Sequence, residues 1–304
     1  MSIESAILRT AADSRFSTKT ITLYKYITPI ALAGLIQHGD IKLTYRKDAN
    51  DPFECLPVGF NPDEDILDHL GILSLTSKWD NHPMWGNYAD KYRGACIEFK
   101  ISYFYISPKK AQTSEHISRE EELALFSRDL RKVGTTALFF QYWEDGDKKK
   151  IDTRGGDVLV KCEYSAQRSN SQNFHWTNTR KQEIEAQQKL YRQICTKHRD
   201  WKYESEYRVT MRHSRCSRFI VGPPSMYFSN AFTRYITRII LGPKCEYTSK
   251  EVEFLITKQR EQMQLEHYIP NTAEIVQAQF NKNSFDLEII EEDSQTKSLC
   301  KSIF

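Results

Sequence analysis

The sequence predicts a mixed α+β fold, and three observations point there. Runs of β-branched and aromatic residues such as ITLYKY, ILSLT and YITRIIL recur more often than a helical bundle would allow. Segments with helical spacing, marked by caps and closing glycines, separate those runs. With 304 residues, 39% hydrophobic and 27% charged, the chain is long enough to bury a full core in one elaborated domain.

Residues 1–20 read as a polar N-terminal arm and residues 21–268 as a single α+β domain. Ile21 to Tyr26 is strand-like, Thr28 and Pro29 open a helix through ALAGLIQ that Gly39 closes, and Ile41 to Tyr45 is a second strand. Asn50-Asp51-Pro52 supplies turn chemistry that its own side chains can hold, with Phe53 as an anchor. Asp63 to Leu70 reads as a short helix, and Ile72 to Thr76 as a strand too apolar for a sheet edge. Met84, Trp85 and Tyr88 stand at helical spacing, and Gly94 ends that helix before a strand over Ala95 to Phe99. Asn81, His82, Asn87 and Arg93 gather at the helix ends, a mixture of donors and acceptors that faces clefts more often than cores.

Ser118 to Trp143 opens on a Ser-x-x-Glu capping box and reads as a long amphipathic helix or a broken pair, giving a helical insertion at about 118–145. EDGDKKK is an exposed tip, Asp157 to Tyr164 a strand, and Thr179 to Thr196 a helix within a second insertion at about 176–198. Phe219 to Val221 and Tyr235 to Leu241 are strands, the latter closed by Gly242-Pro243, and 248–266 is a closing helix. Residues 269–304 form a C-terminal extension, with a short strand or helix over Thr272 to Phe280 and an acidic end from Asp286 that frays.

Composition excludes several classes. No run of eighteen apolar residues occurs, and MSIESAILRTAADSR has neither the basic nor the apolar region of a signal peptide, so a cytoplasmic protein without a membrane partner is expected. Seven scattered cysteines suggest reduced thiols rather than a disulfide framework or zinc pairs. His38, His69, His175, His198 and His213 stand at no ligand spacing, so no metal is expected. There is no glycine-rich phosphate loop. The formal charge of +3 argues for no partner by itself, but Trp176 to Ile220 holds eleven Lys/Arg against five Asp/Glu. That excess suits the phosphates of a dinucleotide or a nucleic acid, although solvated helix faces give similar counts.

One stretch organises the functional reading. WKYESEYR, residues 201–208, alternates as a half-buried strand, with Trp201, Tyr203, Ser205 and Tyr207 on one face and Lys202, Glu204, Glu206 and Arg208 on the other. Beside a cleft, such a row can hold a hydroxyl-rich ligand and stabilise a cation forming on a sugar. On an ordinary surface it is a salt-bridge ladder.

LYKY before a helix, NDPFE after the second strand, MWGNYADKYRGACIEF, and WKYESEYR followed by IILG form an ordered series. The series resembles the bacterial family known as domain of unknown function 2971, across about Leu23 to Gly242. A looser likeness is to ADP-ribosyltransferase-type folds, and it implies a split β-sheet core with helical insertions and NAD bound between two small sheets. In those enzymes a basic or imidazole side chain on the first strand, a middle Ser or Tyr motif and a late glutamate, often Glu-x-Glu, occur in order. Lys25 or Tyr26, then Ser74 or Tyr88, then Glu204-Ser205-Glu206 match that order, although no Arg or His stands at the first position.

The likeness implies NAD as substrate and no metal. Glu206 would stabilise the cation that develops when the nicotinamide–ribose bond breaks, and Glu204 would orient the acceptor or take its proton. Tyr88 or Trp85 would stack on nicotinamide, and Lys25, Arg93 or Arg208 would hold pyrophosphate oxygens, with Asn50 of the polar turn as a further contact. For each arginine the alternative is pairing with Glu204, Glu206 or Glu98. The acceptor would be a nucleic acid met by the basic 176–220 region, or a protein, as in a toxin with its antitoxin or a phage-defence effector. Two rival readings remain: a simple NAD glycohydrolase, and a non-catalytic module that senses a nucleotide or a partner.

Overall fold

The structure, a computed structural model, describes residues 16–45, 48–51, 53, 70–106, 136–138, 141–145, 148–152, 158–168, 194–213, 216–222, 226–263 and 269–290. The elements in order are β1 (Phe16–Ile27), α1 (Pro29–His38), β2 (Ile41–Tyr45), β3 (Leu70–Thr76), α2 (His82–Tyr88), β4 (Ala95–Ile106), β5 (Thr136–Leu138), β6 (Gln141–Asp145), β7 (Lys148–Asp152) and β8 (Val158–Lys161). After these come β9 (Glu163–Ser165), β10 (Thr196–His198), β11 (Glu206–Arg212), β12 (Arg218–Ile220), β13 (Met226–Ser229), β14 (Ile236–Leu241), α3 (Ser249–Met263), β15 (Glu274–Phe280) and β16 (Leu287–Ile290). The architecture is mixed α and β, mostly sheet. Among the described residues no helix is long and apolar enough to cross a membrane.

The chain divides into two compact units, one drawn from 1–22, 42–77 and 100–229, the other from 23–41, 78–99 and 230–304. In the first, β3 pairs antiparallel with β11 from Glu206↔Thr76 to Arg212↔Leu70. β3 also pairs antiparallel with β2, at Thr44↔Ile72 and Tyr45↔Gly71. β8 pairs with both β11 and β5, and the β12–β13 hairpin lies beyond β2. Leu43, Ile72, Leu73, Leu75, Leu159, Val209 and Met211 are buried there. β3 reads as a near-continuous apolar run because a strand buried on both faces needs one. Gly71 stands where a Cβ would come within 2.8 Å of the Leu43 side chain, so only a bare backbone fits.

The second unit is built around packed apolar and aromatic groups. Thr28 caps α1, its hydroxyl oxygen accepting from Ala31 N at 3.3 Å, and Gly39 ends the helix at φ 62°. Asn81 caps α2 in the same way through Met84 N at 3.3 Å. β14 pairs antiparallel with β4 and parallel with β15, which pairs antiparallel with β16. After α2 the chain takes a turn in which Asp90, Lys91 and Tyr92 all have left-handed φ values of 46°, 54° and 73°. Left-handed backbone costs roughly 1–2 kcal/mol per non-glycine residue, so surrounding contacts must enforce it. Gly94 and Gly242 do so by close approach: a Cβ would fall 2.0 Å from the Ile27 carbonyl oxygen in one case and 2.1 Å from that of Tyr92 in the other.

Four expectations change. β1 starts at Phe16, inside the stretch read as a polar arm. The helix expected through Trp143 gives way to strands at Thr136–Leu138 and Gln141–Asp145, and the expected tip is part of an antiparallel β6–β7 hairpin running from Gln141↔Asp152 to Asp145↔Lys148. The hairpin register is set by pairing between two segments of the chain, which a helical-period search does not see. Leu287–Ile290 is a strand inside the stretch read as an acidic end, and of the two alternatives for Thr272 to Phe280 the strand is the one found, over Glu274–Phe280. WKYESEYR is not one strand, as described below. The helices expected at 63–70 and 179–196 lie almost wholly outside the described residues.

Candidate functional site

The first unit places four charges in its interior. β10 runs parallel to β9 with Lys197 opposite Tyr164, and a 3₁₀ turn over Arg199–Glu204 follows. Ser205 ends the turn in a left-handed conformation at φ 45° and ψ 48°, its N–H donating to the Lys202 carbonyl at 3.2 Å. β11 begins only at Glu206. This break turns Glu204 inward, so it meets Lys197 across the reversal instead of standing beside Glu206 on a pleat.

Lys197 Nζ bonds Glu204 Oε2 and lies 3.3 Å from Glu206 Oε2. Arg208, two residues along β11 and on the same face as Glu206, grips both carboxylate oxygens: Nε donates to Oε1 at 2.9 Å and an Nη donates to Oε2 at 2.8 Å. The other Nη donates to the Ile194 carbonyl, and the Glu206 backbone N–H donates to the Tyr164 hydroxyl at 2.8 Å. Arg208 is 0% exposed, and Lys197, Glu204 and Glu206 no more than 5%. Two cations and two anions make the set neutral, which lets it lie in the interior.

Burial alone would push the Glu206 carboxyl up. The Arg208 and Lys197 charges, with hydrogen bonds from Arg208 and the Ser74 hydroxyl, overcome that and hold it at about 2. Glu206 is therefore an anion throughout the neutral range. Burial pushes the Tyr164 hydroxyl up, and pushes the Cys162 thiol well up, the hydrogen bond to Cys195 adding to it. Neither group ionises near neutrality. A fixed carboxylate with a serine hydroxyl on it can stabilise positive charge, whereas proton transfer through Glu206 would first require its cations to move.

The structure brings Glu204, Glu206, Arg208 and Ser74 together, Ser74 lying opposite Arg208 in the β3–β11 register. Arg208 takes the pairing role offered as its alternative. Asn50 is exposed in the same unit, and beside it Asp51 Oδ1 accepts from Phe53 N at 2.9 Å, so this turn is held by its own side chain. Lys197 was missed. It fell within an expected helical insertion, and the one clue was its position after the apolar Ile194-Cys195 pair.

The remaining candidates belong to the second unit. Trp85, expected as a platform for nicotinamide, is wholly buried, donates from Nε1 to the Trp79 carbonyl at 2.7 Å, and is packed by Tyr26 edge-on at 5.2 Å and Tyr92 stacked at 6.1 Å. Its ring faces are filled by protein, because an aromatic stripe on a short helix is what this core needs. Tyr26 is also buried, donating to the Lys78 carbonyl at 2.9 Å and accepting from Asn81 N at 3.2 Å. Burial pushes its hydroxyl far up. Lys25 and Tyr88 are half-buried, and Arg93 is exposed and pairs with Asp90 at 3.5 Å rather than with the glutamates considered for it. His82 links the left-handed turn to the β15–β16 connection: Nδ1 lies 2.9 Å from the Tyr92 hydroxyl and Nε2 meets the Phe285 carbonyl. Among the described residues no group of three or more His, Cys, Asp or Glu could hold a metal ion.

Fold and site together define a mostly-sheet α/β protein that keeps a neutral four-charge cluster in one unit. Residues 84–209 match the model of the family described as protein of unknown function (DUF2971), so the resemblance to that family holds over this stretch, which is under half of the chain and reaches through the cluster. No curated protein and no solved structure matches the chain.

Proposed function

We propose that this chain is an NAD-dependent ADP-ribosyltransferase-type enzyme that modifies a macromolecule, with Glu206 as the carboxylate on which the reaction depends. The observation that carries this reading is the Ser74 hydroxyl on the Glu206 carboxylate. A middle serine and a late glutamate of a Glu-x-Glu are the two parts that the likeness to such enzymes requires in one place, and here they come from adjacent antiparallel strands.

In the reaction the bond from the ribose anomeric carbon to the nicotinamide nitrogen breaks, its electron pair leaves with neutral nicotinamide, and the ribose carbon becomes cationic. Glu206, already anionic, stabilises that charge and accepts the ribose hydroxyls in place of Lys197. The acceptor's nucleophile attacks the same carbon, and its proton passes to Glu204. With water as acceptor the same steps give a glycohydrolase.

A second reading is favoured by a different observation: both carboxylates are already occupied by Lys197 and Arg208. On that reading the cluster is structural and the protein recognises a nucleotide or a partner without cleaving it. Chromatographic assay for free nicotinamide, run beside calorimetry with NAD and ADP-ribose, separates the two. An enzyme releases nicotinamide, and a sensor binds either ligand with none released. If neither ligand binds and no nicotinamide forms, both nucleotide readings are wrong.

A further inference from the structure

β9 and β10 form a small sheet of their own, two parallel strands of three residues with Glu163 opposite Thr196, Tyr164 opposite Lys197 and Ser165 opposite His198. One step back along that register Cys162 faces Cys195, and the Glu163 N–H donates to the Cys195 carbonyl at 2.8 Å. Both thiols are free, both are buried, and they are hydrogen-bonded to each other. Neighbouring strands lie about 4.8 Å apart, inside the roughly 4.4–6.8 Å between Cα atoms that a disulfide spans. Alternation puts the two thiols on the same side of the ladder as Tyr164 and Lys197, the side that meets Glu206.

The backbone around this pair carries the ionic cluster. The Cys162 N–H donates to the Glu206 carbonyl at 2.8 Å, and the carbonyl of Ile194, next to Cys195, accepts from Arg208. Lys197, two residues beyond Cys195, bonds Glu204 and lies against Glu206. A ladder of three residue pairs is marginal by itself, so it opens locally more readily than the longer β3–β11 pairing. While it is closed, Cys162 is shut off from water and stays a neutral thiol. Once it opens, Cys162 regains the ordinary ionisation of a thiol, and reclosure returns its sulfur to that of Cys195.

We propose that Cys162 and Cys195 form a reversible redox lock, in which hydrogen peroxide joins them in a disulfide that ties β9 to β10 and holds the ionic cluster closed. In the opened ladder the Cys162 thiolate attacks one peroxide oxygen, the O–O bond breaks, and a sulfenic acid and hydroxide result. On reclosure the Cys195 thiol attacks the sulfenic sulfur, the S–S bond forms and water leaves, while the hydroxide takes up the proton that Cys162 had released. In sum the two thiols give up two electrons and two hydrogens, and one peroxide becomes two waters. A dithiol reverses the step by exchange. The lock acts on the backbone that carries the four charges, so it stands or falls independently of NAD cleavage.

The test treats the folded full chain with hydrogen peroxide, blocks the remaining thiols with N-ethylmaleimide, and maps tryptic peptides by mass with and without dithiothreitol. Cleavage after lysine and arginine releases Cys162 in CEYSAQR and Cys195 in QICTK. The expected product is these two peptides joined, lighter than their sum by two hydrogens and separated again by dithiothreitol. The backbone amides of 163–165 and 196–198 should then exchange with solvent about tenfold more slowly in the oxidised chain than in the reduced one. Cys195→Ser, treated in the same way, should show no such slowing. Recovery of both peptides as N-ethylmaleimide adducts would overturn the proposal, as would joining of either cysteine to Cys55, Cys216 or another thiol, or a joined pair that forms only when peroxide is added in urea. A joined pair that leaves exchange unchanged would overturn the lock.

Discussion

The two units bury similar kinds of element and fill them with different chemistry. In the unit around α1 and α2 the interior is made of Leu23, Leu32, Leu35, Trp85, Phe99, Ile239 and Ile240, and its unusual features, the left-handed turn and the two tight glycines, serve packing. In the other unit Arg208 is among the most deeply buried large side chains, beside Glu204, Glu206 and Lys197. An apolar core needs no explanation beyond the transfer of its surface from water. A buried ionic set does, because desolvation offsets most or all of the Coulomb attraction and apolar residues of the same volume would commonly hold the fold as well. The first unit thus buries charges where apolar residues would commonly hold the fold as well, and the role proposed for Glu206 would account for that difference.

That contrast can be broken at several points. The largest effect is expected in the apolar unit: Gly94→Ala drives a methyl into the Ile27 carbonyl and should cost at least about 4 kcal/mol, read as failure to fold or a collapsed urea midpoint. If Gly94→Ala is tolerated, the account of the left-handed turn is wrong. Next comes Arg208→Met, which takes from Glu206 the cation that grips both its oxygens and should cost about 3–5 kcal/mol. Substituting all four charged residues with apolar ones of similar volume should recover most of that loss, whereas a cluster kept for stability would recover nothing.

Acid should then act on the ionic unit. Glu206 sits below its usual 4.5, at about 2, so its contribution is fully present above pH 4.5 and is lost as pH falls toward 2. The loss should be about 3 kcal/mol, measured by urea unfolding across that window, and Glu206→Gln should abolish this component. The smallest effect belongs to the cap of α3, where Thr248 Oγ1 accepts from Glu251 N and the Glu251 carboxylate returns to Thr248 N at 2.8 Å. Thr248→Ala should lower stability by about 1 kcal/mol in the same assay.

Local signals were legible where one residue determines one conformation. Thr28, Pro29 and Gly39 gave the bounds of α1, and Ile72 to Thr76 announced a strand buried on both sides. Ser74, Glu206 and Arg208 were readable as candidates because alternation alone puts Glu206 and Arg208 on one face. Long-range pairing was not readable. Nothing local says that Lys197 will meet Glu204 across a 3₁₀ turn, or that Trp85 will be enclosed by Tyr26 and Tyr92, since both follow from contacts between residues distant in sequence or from one left-handed serine. Period also misled. WKYESEYR alternates well enough to pass for a strand although its first half is a turn, and the stretch ending at Trp143 satisfied a helical period although Thr136–Leu138 and Gln141–Asp145 are strands.

The central claim is that Glu206 takes part in chemistry rather than merely filling a buried pair. Its most direct test is the rate of nicotinamide release from NAD by the purified full chain, compared with Glu206→Gln after both proteins are shown to melt cooperatively. The account predicts release by the wild-type chain and a loss of at least about a hundredfold in the folded variant, in keeping with removal of one transition-state charge contact. Equal rates in the two proteins, or no release by the wild-type chain with water, protein or single-stranded acceptors present, would contradict it.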